Sequence, residues 1–184
     1  MKTPDGELPE ILSSEEVYAG RTFSVTVDGL REAGKEYRRE IVRHPGSGCV
    51  VALFDDDTVA LVRQYRHPAR AYLLEIPAGS RRSDAEPPAD CARRELEEEL
   101  GVTAGNLELL AGFYPSPGFC AEKMWVYLAT NLSEAQQNLD EDEFIEIVRI
   151  PFREALVMIE RGEIEDAKTI IGITLASSRG EVQT

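Results

Sequence analysis

The sequence is short of positive charge. Lysine and arginine together number 20, against 34 aspartate and glutamate residues, so the formal net charge is −14. Nucleic acids and anionic membranes are polyanions, and a chain with this balance is repelled by both. We therefore expect neither nucleic acid nor a membrane as a partner. An anionic substrate would need cations that are supplied at its own binding site.

Cysteine is also scarce. The chain has three, Cys49, Cys91 and Cys120, an odd number with no C-x-x-C pair, which is typical of a reduced, intracellular protein. The first residues, MKTPDGELPEILSS, lack the apolar core of a secretion signal, and no apolar run approaches membrane-spanning length. The sequence predicts a cytoplasmic protein.

Histidine is the rarest of the residues that bind metals. His44 and His67 are the two that occur, and neither has a Cys or His partner at zinc-site spacing. The P-loop pattern G-x-x-x-x-G-K-[ST] is absent as well. These absences argue against a zinc site and a P-loop NTPase, and they leave the abundant carboxylates as candidates for chemistry.

Short apolar runs separated by turns fill most of the 184 residues, a length that suits one domain. Residues 1–14 are expected to be a flexible acidic leader, and the polar stretch SEAQQNLDEDE a mobile loop. Alternating patterns such as RTFSVTVDGL predict strands, and a helix should run from about Ala89 to Leu100 and end at Gly101. Two further helices close the chain. The pattern predicts an α+β fold with helices covering a mixed sheet.

The helix around CARRELEEELGV raises a question about its glutamates. At about 100° per residue, Leu96 and Leu100 mark the buried side, and Glu95 and Glu99 lie beside them. A solvated charged helix explains an ion pair of Arg94 with Glu98 but not two like charges at the edge of the core. A bound divalent cation would reverse that cost, and carboxylate oxygens suit Mg²⁺ or Mn²⁺. Both interpretations remain open on spacing alone.

The stretch GSRRSDAEPPADCARRELEEELGV resembles the Nudix box, G-x5-E-x7-R-E-U-x-E-E-x-G-U, in which U is a bulky aliphatic residue. Gly79 opens the match and Glu86 is its next position. The matches then continue with Arg94, Glu95, Leu96, Glu98, Glu99, Gly101 and Val102. One departure is that six residues, not five, separate Gly79 from Glu86. The extra residue lies in the loop before the helix, so it need not move the helical glutamates.

Three further stretches, LLEIPAG, SPGF and RQYR, look like the ADP-ribose pyrophosphatase branch of the Nudix hydrolases. The resemblance implies a Nudix fold, an α/β/α sandwich whose mixed β-sheet lies between helices, preceded by N-terminal antiparallel strands. It implies that residues 15–45 form those strands and a dimerisation region. Residues 46–178 would then be the catalytic domain and 179–184 a tail. A homodimer is expected.

The resemblance also implies a Mg²⁺ site, with Mn²⁺ as a substitute. Glu95 and Glu99 would be the principal ligands and Glu98 a third, and the carbonyl of Ala78 would be a backbone ligand. Arg94 would orient the carboxylates.

The catalytic base is expected in the acidic loop NLDEDEFIEIV. Glu141 matches the base and Glu143 a further metal ligand, but a slip of one or two residues within DEDE would change this assignment. The alternative is a disordered acidic loop whose charges only keep it solvated.

Substrate contacts follow from the resemblance in the same way. Arg66 is expected at the phosphates, with protection of a sheet edge as the alternative. Arg39 and Glu40 match positions that contact adenine. Phe23 would stack on the base, from its own or a partner subunit, or else be an ordinary core residue. Glu122 would touch the terminal ribose or a metal.

The implied reaction is Mg²⁺-dependent hydrolysis of ADP-ribose to AMP and ribose 5-phosphate. The alternatives are a pyrophosphatase for another nucleoside diphosphate sugar, such as ADP-glucose or GDP-mannose, and a non-catalytic module that senses ADP-ribose. Because all the helical glutamates of the box are present, catalysis is favoured over sensing.

Overall fold

A computed structural model describes residues 8–139 and 143–179. Its strands are β1 Glu10–Ala19, β2 Ser24–Glu32, β3 Lys35–Arg43, β4 Ser47–Leu53, β5 Thr58–Arg66, β6 Ala71–Glu75, β7 Ala78–Ser80, β8 Val102–Phe113, β9 Met124–Glu134 and β10 Ile145–Pro151. Its helices are α1 Pro88–Leu100, α2 Phe152–Glu160 and α3 Ala167–Ser177.

A seven-stranded mixed sheet forms the centre of the molecule. Its main path runs β10-β5-β4-β9-β8, while β6 pairs with β5 and β7 pairs with β4. Strands β4 and β9 run parallel, and the other described pairs of this sheet run antiparallel. The prediction of a mixed sheet is confirmed.

Strand β4 is buried along its whole length and contributes to a core on each face of the sheet. Val50 and Ala52 belong to a cluster with Leu96 of α1, whereas Val51 belongs to a second cluster with Ile173 of α3. Because successive strand residues point to opposite faces, a strand buried on both sides reads as a continuous apolar run, as GCVVALF does. Helices on both faces confirm the α/β/α sandwich.

Strands β1, β2 and β3 form a separate antiparallel sheet, as predicted for the N-terminal strands. However, β1 begins at Glu10, inside the stretch 1–14 predicted as a leader, so that prediction is wrong for residues 10–14. Every residue of β1 is exposed and is held by backbone pairing with β2. A strand that buries nothing leaves no apolar pattern by which the sequence could indicate it.

Helix α1 carries the box glutamates, and its ends agree with the prediction. Pro88 occupies its first turn, where a backbone N–H would have no partner within the helix, so the N–H that proline lacks costs no hydrogen bond. Gly101 ends the helix in the left-handed conformation at φ 64°, and its N–H donates to the Glu97 carbonyl. In the part of the chain that the structure describes, no helix is long and apolar enough to cross a membrane.

Candidate active site

A cavity of about 880 Å³ lies between the start of β7, helix α1 and the end of β5. It brings together many of the side chains singled out in the sequence. The predicted site residues that line it are Arg66, Ala78, Arg94, Glu95, Glu98, Glu122 and Glu143. Glu141 lies outside the described residues.

The two glutamates beside the apolar stripe of α1 are buried, as the helical wheel predicted. Glu95 is 6% exposed and Glu99 is 5% exposed, whereas Glu97 on the opposite face is exposed. Burial raises the pKa of Glu95 to about 7 and that of Glu99 to about 8, because each carboxylate loses water. The negative charge of Glu143 raises the pKa of both as well, so that side chain belongs to the same electrostatic cluster.

One carboxylate oxygen of Glu99, Oε2, is buried and has no hydrogen-bond partner among the described residues. Leaving such an oxygen unpaired costs about 1–3 kcal/mol. A divalent cation that takes oxygen ligands would remove this cost and the repulsion between Glu95 and Glu99. The donor set at this end of α1 therefore fits Mg²⁺ or Mn²⁺.

Within residues 8–139 and 143–179, no three His, Cys, Asp or Glu side chains are grouped so that they alone could hold a metal ion. A cation beside Glu95 and Glu99 would need other oxygen donors, such as water or a backbone carbonyl. Ala78, whose carbonyl the resemblance implies as a ligand, lines the same cavity.

Arg94 organises the carboxylates of the box. Its Nη1 donates to Glu98 Oε2 at 2.8 Å and also to Glu95, and its Nε donates to Glu86 Oε1 at 3.1 Å. The backbone N–H of Arg82 also donates to Glu86, so the extra loop residue does not remove Glu86 from the cluster. This geometry agrees with the orienting role expected for Arg94.

Gly79 is required by the close approach of Glu95 to β7. A Cβ atom placed on Gly79 would lie 2.0 Å from Glu95 Oε1. No side chain larger than hydrogen fits there unless the carboxylate moves. The first glycine of the box therefore shapes the space for the acidic group.

Gly79→Ala is expected to weaken metal binding by about 10-fold or more, because the added methyl group displaces the Glu95 carboxylate. The fold should persist, since the backbone of Gly79 is not in the left-handed region. Calorimetric titration with Mg²⁺ and thermal unfolding measure the two effects. Gly118→Ala is the control, because nothing lies within 4 Å of a Cβ there. Equal Mg²⁺ affinities for the two variants would contradict the expectation.

On the cavity wall, Arg66 is held by Glu75, a residue that no sequence motif indicated as part of the site. Its Nε and Nη2 donate to the two carboxylate oxygens of Glu75, each at 2.7 Å, and Lys168 Nζ donates to Glu75 as well. Glu75 is 1% exposed. The signal for it was a lone carboxylate in the apolar strand AYLLEI, and nothing in the sequence alone pairs it with Lys168.

Glu122 also reaches this cavity. Its Oε1 accepts a hydrogen bond from Ser47 Oγ at 2.6 Å and lies 3.6 Å from His44 Nδ1. Ser47 is the first residue of β4, so the central sheet holds this carboxylate at the wall. His44, to which the sequence assigned no chemistry, contacts Glu122 and Ser80, which line the site.

The residues expected at adenine lie apart from the main cavity in this single chain. Arg39 and Glu40 line a groove with Phe119, whereas Phe23 lines another cavity, with Arg43 and His44 among its neighbours there. Phe23 is 42% exposed and its ring centroid lies 5.7 Å from that of Tyr18, so the alternative of an ordinary core residue is wrong.

A model of the NUDIX domain matches residues 42–171 of this chain. The chain belongs to the Nudix family. Nudix hydrolases generally use divalent metal ions, which agrees with the buried carboxylate pair. The predicted membership of the Nudix hydrolases and the predicted fold are confirmed.

Curated relatives of this Nudix chain extend over most of its length. It is 40% identical over 165 residues to the ADP-ribose pyrophosphatase of Bacillus subtilis (strain 168), covering 88% of this chain and 89% of the relative. It is 33% identical over 161 residues to a GDP-mannose pyrophosphatase of Enterobacter sp. (strain 638), covering 80% and 83%. These similarities confirm the predicted branch, and they confirm an enzyme, a Nudix pyrophosphohydrolase.

A solved structure supports the same conclusion about the fold. The crystal structure of an ADP compounds hydrolase superposes with a TM-score of 0.83 at 26% identity, covering 98% of each chain. The likeness therefore includes the N-terminal sheet as well as the central one.

Proposed function

We propose that this Nudix hydrolase cleaves the pyrophosphate bond of ADP-ribose with water, giving AMP and ribose 5-phosphate, and that it requires Mg²⁺, with Mn²⁺ as a substitute. The observation that carries the proposal is the pair of buried carboxylates, Glu95 and Glu99. Glu99 has an oxygen with no partner among the described residues, and Glu95 lines a cavity together with Arg66 and Lys168. Similarity to proteins named ADP-ribose pyrophosphatase supports the choice of substrate.

Mg²⁺ in this site would neutralise the diphosphate and favour ionisation of a bound water. Glu95, Glu99, the Ala78 carbonyl and Glu143 are the groups proposed to hold it. Arg94 keeps the carboxylates of Glu95 and Glu98 in place by hydrogen bonds.

The remaining chain groups bind the substrate and move one proton. Arg66 donates to the phosphate oxygens, and Glu122 accepts from the terminal ribose or joins the metal ligands. A carboxylate takes a proton from the attacking water while a new P–O bond forms. The bond from that phosphorus to the bridging oxygen breaks, and the second phosphate leaves with the oxygen.

We assign the base to Glu141 and a metal contact to Glu143. We expect Glu141→Gln to lower kcat by about 10²-fold or more with Mg²⁺ half-saturation unchanged. We expect Glu143→Gln to raise the Mg²⁺ concentration needed for half-maximal rate. Steady-state rates over a Mg²⁺ series separate the two effects. If the two variants exchanged these signatures, the assignment would have to be exchanged too.

We also propose a homodimer formed through the N-terminal sheet, so that a partner subunit brings Phe23, Arg39 and Glu40 to the adenine. Two observations support it. These residues lie off the main cavity of a single chain, and Ile11, Leu12, Val17 and Tyr18 of β1 are exposed. Light scattering at assay concentration tests it, and a monomer with full activity would contradict it.

The decisive experiment for the substrate is a panel of ADP-ribose, ADP-glucose and GDP-mannose, assayed for release of the nucleoside monophosphate. We expect the highest kcat/KM for ADP-ribose and no turnover with EDTA. Similarity to GDP-mannose pyrophosphatases favours GDP-mannose as the second candidate. Tight ADP-ribose binding without hydrolysis at any Mg²⁺ concentration would indicate a sensing module instead. The three free thiols support a reducing, cytoplasmic location.

A further inference from the structure

Glu75 is a carboxylate in the buried interior of the central sheet. It is the last residue of β6, it pairs with Val62 of β5, and it is 1% exposed. A buried carboxylate is costly unless other groups neutralise it and donate to it. Burial pushes the pKa of Glu75 upward, but the hydrogen bonds from Arg66 and the charge of Lys168 outweigh it and keep the pKa below its usual value.

Helix α3 holds Glu75 from one side. Lys168 Nζ donates to Glu75 and lies 3.1 Å from the carboxylate of Asp166, the residue that caps α3. Thr169 Oγ1 accepts a hydrogen bond of 2.8 Å from the backbone N–H of Ile76. The helix therefore binds both the side chain of Glu75 and the backbone that follows it, which leaves the carboxylate little freedom.

Arg66 meets Glu75 from the other side and differs from Lys168 in exposure. Both residues line the cavity, but the Arg66 side chain is 40% exposed and the Lys168 side chain only 7%. The two bonds to Glu75 use two of the five N–H donors of the guanidinium and leave three for another acceptor. The hydrogen bond with Glu75 raises the pKa of Arg66.

We propose that Glu75 is a positioning residue that fixes the guanidinium of Arg66 at the cavity wall, so that its remaining donors bind the diphosphate of the substrate. Lys168 is shared between Glu75 and Asp166, so Arg66 supplies the second positive charge of this network. Unlike Lys168, Arg66 is half-exposed and has donors left over for the substrate. A bidentate bond holds a long, flexible side chain in one orientation before the substrate arrives. The inference rests on the proposed function.

A double-mutant cycle tests this role. Glu75→Gln retains the size of the side chain and loses its charge and its paired acceptors, while Arg66→Ala removes the group that is positioned. We expect Glu75→Gln to lower kcat/KM by about 10-fold or more in the wild-type background. In the Arg66→Ala background the same change should cost less than about 3-fold, because the two residues act as a unit. Equal losses in both backgrounds would overturn the proposal.

Glu146→Gln is the matched control. Glu146 of β10 forms an ion pair with Arg63 of the neighbouring strand β5 at 3.4 Å, as Glu75 of β6 does with Arg66 of β5, but both Arg63 and Glu146 are exposed. It should change kcat/KM little and equally in both backgrounds. Every variant is assayed well below its own unfolding temperature. If Glu75→Gln does not fold, the cycle is repeated with Glu75→Gln/Lys168→Met, which removes the buried charges together.

A failure of the positioning role of Glu75 can be distinguished from a failure of the proposed reaction. Turnover of the wild-type chain is measured first, and its absence with every member of the substrate panel would end the proposed reaction. The same double-mutant cycle is then repeated with a different measured quantity, the affinity for inorganic pyrophosphate in the presence of Mg²⁺, determined by calorimetry. A loss for Glu75→Gln that vanishes in the Arg66→Ala background supports positioning. Equal losses, or no pyrophosphate binding to the wild type, would overturn it.

Discussion

Glu99→Gln is expected to lower kcat by about 10²-fold or more while the fold remains intact. Glu99 is 5% exposed, its Oε2 has no partner among the described residues, and its charge faces that of Glu95. An amide of the same shape would offer a cation one neutral oxygen in place of a carboxylate. The measurement is kcat at saturating ADP-ribose over a series of Mg²⁺ concentrations.

Stability provides a second measurement that does not depend on turnover. Because burial raises the pKa of Glu99 to about 8, the neutral form is favoured in the metal-free protein below that pH, so the comparison is made at neutral pH. The neutral glutamine should therefore cost the metal-free fold nothing. Added Mg²⁺ should raise the unfolding temperature of the wild type and raise that of the variant less, since a ligand stabilises only the state that binds it.

The control for this substitution lies on the same helix. Glu97 is exposed on the opposite face of α1, so Glu97→Gln makes the same chemical change, carboxylate to amide, without touching the cavity. It should leave both kcat and the Mg²⁺ response unchanged. If Glu99→Gln behaved like Glu97→Gln in both measurements, Glu99 would not be a metal ligand.

Glu75→Ala is expected to lower the free energy of unfolding by about 3–5 kcal/mol, because it leaves a buried lysine without one of its carboxylates. Lys168 is 6% exposed and would retain Asp166, at 3.1 Å. The loss is measured by urea unfolding. Lys168→Met added to Glu75→Ala should recover part of it, since the buried ammonium that lost Glu75 is then removed as well.

An exposed pair between strands β5 and β10 is the comparison. Glu146→Ala breaks the Arg63–Glu146 pair, whose side chains are 49% and 67% exposed, and should cost less than about 1 kcal/mol. A Glu75→Ala variant no less stable than Glu146→Ala would mean that water or neighbouring groups compensate Lys168 fully. The buried network would then not hold β6 and α3 together.

The local features of this chain were accessible from its sequence because they depend on near neighbours. Helix α1, its end at Gly101 and the side on which Glu95 and Glu99 lie follow from helical periodicity and from one glycine that tolerates a left-handed backbone. The continuous apolar run of β4 likewise indicates a strand covered on both faces.

Tertiary structure decided the features that join distant parts of the chain. Strand β1 is held by backbone pairing with β2 and by polar contacts such as that of Ser14 with Asp28, and none of its side chains is buried. Arg66 of β5 and Glu75 of β6 meet Lys168 of α3, which lies 93 residues beyond Glu75 in the chain. The contact of Gly79 with Glu95 depends on where β7 lies against α1. Periodicity reports which face of an element is buried. The partner that covers that face is selected by the packing of the whole chain, and no local pattern encodes it.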